Sequence, residues 1–238
     1  MEAFGTLFKY RLEALRSIND EESFSGFLST VEPITINVQK GPTCGPVAQV
    51  VVSKVFETEP FTVDEVVYYN KSEGYTSSGE CFSVDWMTSS LSHFMPQLQL
   101  TTTVLPPILK LLTSLDNNTV YIVPYDADKD NSPGFCNGKS AHWCVIVGYF
   151  VRHSKGVEFD VNGNFNDGDV FVVAYQGKSR NPALWSYADL QSSNCQLNTY
   201  EKPAMIMDAG GIEAGLKGRA VRVEGVHGHY KKMVNFRM

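Results

Sequence analysis

The sequence lacks any long apolar run. No stretch approaches the roughly 18 apolar residues that a membrane-spanning helix needs. Residues 1–11 are interrupted by charge, and no apolar segment of signal-peptide length follows them. We therefore expect a soluble cytoplasmic protein with no membrane partner.

Basic patches and paired cysteines are also missing. Lys and Arg total 20 against 26 Asp and Glu, giving a net charge of −6, and the two signs are interspersed. This pattern argues against nucleic acid as a partner, because nothing resembles the basic stripe that follows a phosphate backbone. The scattered spacing of the cysteines is typical of reduced thiols and offers no Cys-x-x-Cys pair for zinc, so neither metal nor cofactor is expected. The five cysteines are Cys44, Cys81, Cys136, Cys144 and Cys195.

The pattern of apolar residues predicts helices in the first half of the chain and strands in the second. We predict an α+β fold in which a helical half packs against an antiparallel β-sheet half around one cleft. One domain spans 1–238, with a helical extension over 1–30 and a tail over 225–238. The turn-rich segment 126–138 is a candidate lid. Helices are predicted at 4–18, 43–56, 62–70, 83–93, 105–116 and 186–193, and strands at 34–38, 120–125, 142–151, 157–161, 169–176, 203–207 and 219–224.

A cysteine stands at the start of the predicted helix 43–56. Apolar residues recur there at three- and four-residue spacing, and Thr43 is a candidate N-cap. Unpaired backbone N–H groups and the positive end of the helix dipole converge on Cys44, which favours its thiolate. Five residues upstream, the amide of Gln39 could donate to the oxygen of a carbonyl that the sulfur attacks.

A second segment of chemical interest leads from a glycine-rich loop through His142 into an apolar β-rich run. A nucleophile that begins a helix and a base that begins a central strand, in that chain order, is typical of papain-like cysteine peptidases. We therefore predict Cys44 as nucleophile, His142 as general base and then general acid, and Gln39 as oxyanion donor.

The residue that orients the histidine is less well defined by the sequence. The predicted strand after the histidine strand ends at Gln176, whose side-chain carbonyl could accept from the imidazole and fix its tautomer. Three aspartates are alternatives, although they lie beside Gly and Asn turns and suit turn positions. These alternatives are Asp160, Asp167 and Asp169.

Several segments together resemble the actin maturation proteases. The resemblance implies a papain-like cysteine protease that removes the acetylated N-terminal residue of immature actin. It implies actin as a partner, and the actin–profilin complex through a proline-rich extension that some relatives carry; this chain instead begins with an amphipathic segment. The matching segments are Gln-x-Gly-Pro-Thr-Cys-Gly at 39–45, Ala-His-Trp at 141–143, Gln-Gly-Lys-Ser at 176–179, Leu-Trp at 184–185, Ser-Asn-Cys-Gln-Leu at 193–197 and Gly-Gly-Ile-Glu-Ala-Gly-Leu at 210–216.

Cationic residues flank the predicted cleft. Lys139, Lys178 and Arg180, together with the neighbouring Trp143, are candidate substrate-binding residues. Because actin N-termini are acidic, a local positive field could attract one in spite of the negative total charge.

Two other functions fit the same residues. An isopeptidase or acyltransferase would use the same chemistry on another protein substrate. A catalytically silent module would hold a protein segment in the cleft, and its Cys44 would not be unusually reactive.

Overall fold

The computed structural model describes residues 25–153, 160, 165–200, 211–225 and 232–237. The predicted helix 4–18, the predicted strand 203–207 and nearly all of the predicted strand 157–161 lie outside these residues. Within the described ranges, no helix is long and apolar enough to cross a membrane.

The centre of the fold is an antiparallel sheet of eight strands within the described residues. The spatial order is β2-β7-β3-β4-β1-β8, and β5 pairs with the other edge of β4 and with β6. The strands are β1 (Ser25–Thr30), β2 (Gln99–Thr103), β3 (Thr119–Asp126), β4 (Ala141–His153), β5 (Val170–Tyr175), β6 (Ala183–Ser186), β7 (Ala220–Glu224) and β8 (Lys232–Arg237).

Helices cover both faces of this sheet. The helix that begins at the cysteine packs mainly on β4, and the α+β prediction with this helix against an antiparallel sheet is confirmed. Two helices lie on the opposite face, which the sequence pattern did not predict. The helices are α1 (Cys44–Val55), α2 (Val63–Ser72), α3 (Val84–Phe94), α4 (Ile108–Asp116), α5 (Tyr187–Cys195) and α6 (Gly211–Gly215), with a 3-10 turn at Asp167–Asp169.

Local signals at helix starts account for most of the predicted helices. The capping box at Thr62 is present, because Glu65 N donates to the Thr62 hydroxyl while the Glu65 carboxylate accepts from Thr62 N. Ser83 and Ser186 accept from backbone N–H groups at the starts of α3 and α5. The predicted strands at 120–125, 142–151, 169–176 and 219–224 are also confirmed.

One predicted strand does not form, and two strands lie where a helical extension and a tail were predicted. The segment 34–38 forms no ladder, and Ile34 N instead donates to the hydroxyl of Tyr175 at 3.2 Å. Ser25–Thr30 is a strand and not part of a helical extension over 1–30, because it pairs with both β4 and β8. Lys232–Arg237, placed in the predicted tail, is the edge strand beside it.

A bulge in β4 changes which face its side chains point to. The register with β5 shifts between Ile146 and Gly148, so Val147 is an extra residue on β4. Before the bulge the odd-numbered Val145 packs on the α1 face, and after it the even-numbered Phe150 does so. Gly148 permits the close approach of β1, since a Cβ there would lie 2.4 Å from the carbonyl oxygen of Ser29.

Candidate active site

Cys44 lies at the N-terminus of α1, as predicted, but Thr43 does not cap that helix. The Thr43 hydroxyl donates to the carbonyl oxygen of Lys40 at 3.0 Å and makes no capping bond to α1. Gly45 allows tight packing behind the cysteine, because a Cβ there would lie 2.7 Å from the Cβ of Cys81. The sulfur is therefore held at a helix end, beside a second buried thiol.

Cys44 and His142 line the same pocket, which has a volume of about 220 Å³. The lining residues come from the segment before α1 and the start of α1, from residues 80–82 and 139–142, and from positions 178 and 200. The sequence analysis thus paired two residues that the fold brings together across almost a hundred positions of the chain. The pocket is lined by Gln39, Pro42, Cys44, Glu80, Cys81, Phe82, Lys139, Ser140, Ala141, His142, Lys178 and Tyr200.

The imidazole of His142 is held by a backbone atom. Its Nε2 lies 2.7 Å from the carbonyl oxygen of Gln176. A carbonyl oxygen can only accept, so in the neutral ring Nε2 carries the hydrogen and Nδ1 keeps its lone pair. The ring also makes an edge contact with Tyr125, at a centroid distance of 5.6 Å. The histidine is therefore oriented, and its tautomer is defined, with Nδ1 as the basic atom.

The side chain of Gln176 does not contact the imidazole, contrary to the sequence prediction. Its Oε1 accepts from the backbone N–H of Lys178 at 2.7 Å and so closes the turn around Gly177, where φ is +79°. The three alternative aspartates do not line the pocket either. Asp169 pairs with Arg152 at 2.6 Å, Asp167 is exposed in the adjacent 3-10 turn, and Asp160 is exposed.

Gln39 lines the pocket, but its amide donates elsewhere in this structure. Its Nε2 donates to the carbonyl oxygen of Gly41 at 3.0 Å, and its buried Oε1 has no hydrogen-bond partner among the described residues. Its backbone N–H donates to the carbonyl oxygen of Gly177 at 2.8 Å. The NH₂ group carries a second hydrogen, so the same nitrogen can donate to an oxyanion while it keeps its bond to Gly41.

The pKa shifts of Cys44 and His142 both favour the neutral form of the side chain. Burial raises the pKa of the Cys44 thiol, against hydrogen bonds from the backbone of Trp143 and Gly45 and the charge of Lys178, which lower it. Burial, helped by the charge of Lys178, lowers the pKa of His142 to about 4. The backbone donors at the helix start lower the pKa of Cys44 in the direction that the sequence predicts, whereas burial raises it and is the larger effect.

The four candidate substrate-binding residues lie in different environments. Lys139 and Lys178 line the pocket and are exposed. Trp143 is a core residue, 2% exposed, whose Nε1 donates to the carbonyl oxygen of Cys81 at 2.8 Å. Trp143 therefore belongs to the core beneath the pocket and offers no surface to a substrate. Arg180 is exposed and does not line the pocket.

Sequence reasoning missed several residues that line the pocket, among them Glu80, Phe82 and Tyr200. Glu80 follows a Ser-Ser-Gly segment, and its carboxylate accepts from the backbone N–H groups of Ser77 and Ser78. Phe82 and Tyr200 pack edge to face at 4.6 Å. The Ser-x-x-Glu spacing at 77–80 was the available signal for Glu80, whereas nothing local distinguishes the two aromatic residues.

Comparison with known proteins identifies the family. Residues 34–150 match the family model described as actin maturation protease-like, C-terminal domain. A protein of Drosophila melanogaster named actin maturation protease is 33% identical over 199 residues, which cover 79% of this chain and 68% of that protein. The chain belongs to the actin maturation protease family. A Mus musculus member is 30% identical over 227 residues, covering 80% of this chain and 63% of its own length.

The resemblance to this family, stated from the motifs, is thereby confirmed, and the name that these relatives share supports a peptidase role. Two solved structures are more distantly similar. The peptidase domain of Streptococcus ComA has a TM-score of 0.45 at 12% identity, covering 80% of this chain and 98% of its own. A putative C39-like peptidase from Bacillus anthracis has a TM-score of 0.48 at 9% identity, covering 84% of this chain and 98% of its own.

Proposed function

We propose that this protein is a cytoplasmic cysteine peptidase of the aminopeptidase type that removes the acetylated N-terminal residue from immature actin. The observation that carries the proposal is the pocket shared by Cys44 and His142, in which Gln176 fixes the imidazole tautomer. The substrate comes from the relatives, which are named for actin maturation. Lys139 and Lys178 at the pocket suit an acidic N-terminal segment.

The neutral state of both groups defines the first step. As Cys44 Sγ attacks the carbonyl carbon of the scissile peptide, Nδ1 of His142 takes the thiol proton, so the base acts during attack. The oxyanion accepts from the backbone N–H of Cys44 and from the second hydrogen of the Gln39 amide. The imidazolium that forms is stabilised by its hydrogen bond to the carbonyl of Gln176.

The later steps reverse the direction of proton transfer. His142 protonates the amine of the shortened actin chain, which leaves while the acetylated residue remains on Cys44 as a thioester. Water, deprotonated by the same imidazole, attacks the thioester and releases the acetylated amino acid. None of these steps uses a metal or a cofactor.

The proposal is tested by mass spectrometry of an acetylated actin N-terminal peptide incubated with the protein. We expect the wild type to release the acetylated first residue and Cys44→Ala to release none while it keeps its fold by circular dichroism. The matched control is Cys195→Ala, which removes an exposed thiol outside the pocket and should cleave normally. Undiminished cleavage by Cys44→Ala would overturn the proposal. Cleavage of a ubiquitin conjugate but not of the actin peptide would transfer the chemistry to an isopeptidase.

A further inference from the structure

Asp126, the last residue of β3, holds together the loop that leads to the catalytic histidine. It is fully buried. Its Oδ2 accepts from Cys136 N at 2.6 Å, Gly138 N at 3.0 Å and Gln196 Nε2 at 2.9 Å, and its Oδ1 accepts from Ser140 N at 2.9 Å. One carboxylate therefore organises three backbone N–H groups within five consecutive residues.

The same cluster also fixes a second wall of the pocket. The Oε1 of Gln196 accepts from Asn137 N, and the carbonyl oxygen of Asn137 accepts from the backbone N–H groups of Asn198 and Thr199. The next residue, Tyr200, lines the pocket. Asn137 and Gly138 have φ values of +63° and +90°, so the segment adopts a conformation that needs this external support.

We propose that Asp126 is a positioning residue for catalysis, whose carboxylate fixes residues 136–140 and thereby sets where the His142 imidazole meets the Cys44 sulfur. The inference rests on the proposed peptidase function. Ala141 follows the fixed segment and pairs with Asp126 in the β3–β4 ladder, so His142 stands two residues from Ser140, the last N–H donor to the carboxylate. A displacement of about 1 Å in such a segment can lower turnover about a hundredfold.

The four donors are satisfied only if both terminal atoms of the side chain at position 126 accept hydrogen bonds. An asparagine has one oxygen and one NH₂ group, so at least one N–H of the cluster would face another donor. If the amide oxygen replaces Oδ2, the NH₂ group faces Ser140 N, the donor closest to His142. Asp126→Asn therefore removes the organising contact with almost no change in volume.

The test compares Asp126→Asn with Asp130→Asn. Asp130 is an exposed aspartate of the same loop whose carboxylate accepts only from Ser132 among the hydrogen bonds found in the described residues, so its variant controls for loss of one charge. We expect Asp126→Asn to lower kcat on the acetylated actin peptide about 10- to 100-fold with a smaller change in KM, and Asp130→Asn to leave both unchanged.

A second readout follows the Cys44–His142 pair without any substrate. Alkylation of Cys44 by iodoacetamide, quantified on its own peptide by mass spectrometry over about pH 5–9, reports how the imidazole assists the thiol. The other charged groups at the pair are Lys139, Lys178 and Glu80, and all are retained. We expect the pH profile of Asp126→Asn to move toward that of His142→Ala. The alkylation measurement does not depend on cleavage of actin. It therefore distinguishes failure of the positioning role from failure of the proposed function.

Two outcomes would overturn the positioning role. The first is lower thermal stability of Asp126→Asn with an unchanged kcat and an unchanged alkylation profile, because that pattern shows a merely structural residue. The second outcome concerns Gln196→Ala, which is measured if Asp126→Asn does not fold and which loosens the same segment from a half-buried position. Wild-type kcat and alkylation in Gln196→Ala would refute the proposal, whereas a reduced kcat would support it.

Discussion

Two cysteines lie on opposite faces of the sheet, and only one of these thiols has groups around it that can support chemistry. Cys144 on β4 is fully buried among apolar side chains on the α4–α5 face, and burial alone raises its pKa strongly. Burial also raises the pKa of Cys44, but backbone hydrogen bonds and the charge of Lys178 lower it in part. The two thiols therefore differ both in exposure and in the donors around them, since Cys144 is inaccessible and Cys44 is half-buried at the pocket.

The polar groups of the α4–α5 face differ from those of the pocket. On the α4–α5 face the tyrosine hydroxyls are committed to structural partners, since Tyr149 donates to Asp116 and Tyr187 to the carbonyl of Pro106. At the pocket, His142 uses one ring nitrogen for structure and Gln39 has a buried oxygen without a partner in the described part of the chain. The pocket therefore has hydrogen-bonding groups that are available to a ligand.

The largest expected effect separates the two thiols. Cys44→Ser should lower peptide cleavage at least about a thousandfold with little change in stability. Cys144→Ser should keep activity per folded molecule but lower the free energy of unfolding by about 1–3 kcal/mol, because a hydroxyl is buried without a partner. Cleavage assays and urea unfolding of both variants check this. Lost stability in Cys44→Ser and lost cleavage in Cys144→Ser would mean that the two thiols have been assigned the wrong roles.

Acid should destabilise the fold through His142. The unfolded chain binds a proton at this histidine below pH 6.5, whereas the low pKa of about 4 keeps the folded site neutral. The stability is therefore fully present above pH 6.5 and falls as the pH drops to about 4, by about 3 kcal/mol. Urea unfolding at both pH values for the wild type and His142→Gln measures it. An equal loss in both proteins would show that other groups cause the acid sensitivity.

Trp143→Phe tests whether this side chain belongs to the core or to the binding surface. The variant leaves the carbonyl of Cys81 without its donor, so we expect a loss of about 1–3 kcal/mol in the free energy of unfolding. The KM for the actin peptide should not change, because the indole is buried beneath the pocket. A raised KM with unchanged stability would restore the substrate-binding role predicted from the sequence.

The smallest effect concerns the cationic residues. Lys178→Gln removes a charge that lines the pocket and should raise the KM for an acidic peptide about three- to tenfold, more at low salt than at high salt. Arg180→Gln is the matched control, because Arg180 is exposed outside the pocket. Equal effects of the two substitutions would indicate a general field and not a local contact.

The sequence predicted the parts of the site that depend on residue identity. Cys44 and His142 were recognisable because a helix start and an apolar strand are local patterns. The contact of His142 with Gln176 was assigned to the wrong atom, since a main-chain carbonyl carries no mark in the sequence. Asp126 was missed because an aspartate before a turn-rich segment is an ordinary turn residue, and only the fold shows four donors converging on it.

The fold was predictable to the same extent. Helix starts with capping residues and long apolar strands were found, whereas β1, β2, β6 and β8 were not. Gln99–Thr103 is polar and partly exposed, so its pairing with β7 decides its conformation. The bulge at Val147 depends on where β1 and β5 both meet β4, which is a tertiary property.

The turn at 176–178 connects His142 with Gln39, so the positions of these two residues are hard to adjust separately. Gln176 contacts the imidazole, Gly177 accepts from the backbone of Gln39, and Lys178 reaches the pocket. Lengthening or shortening this turn by one residue would disturb all three at once. Efforts to change the peptide that the protein accepts should therefore leave these residues alone and vary Lys139, an exposed pocket residue outside this turn.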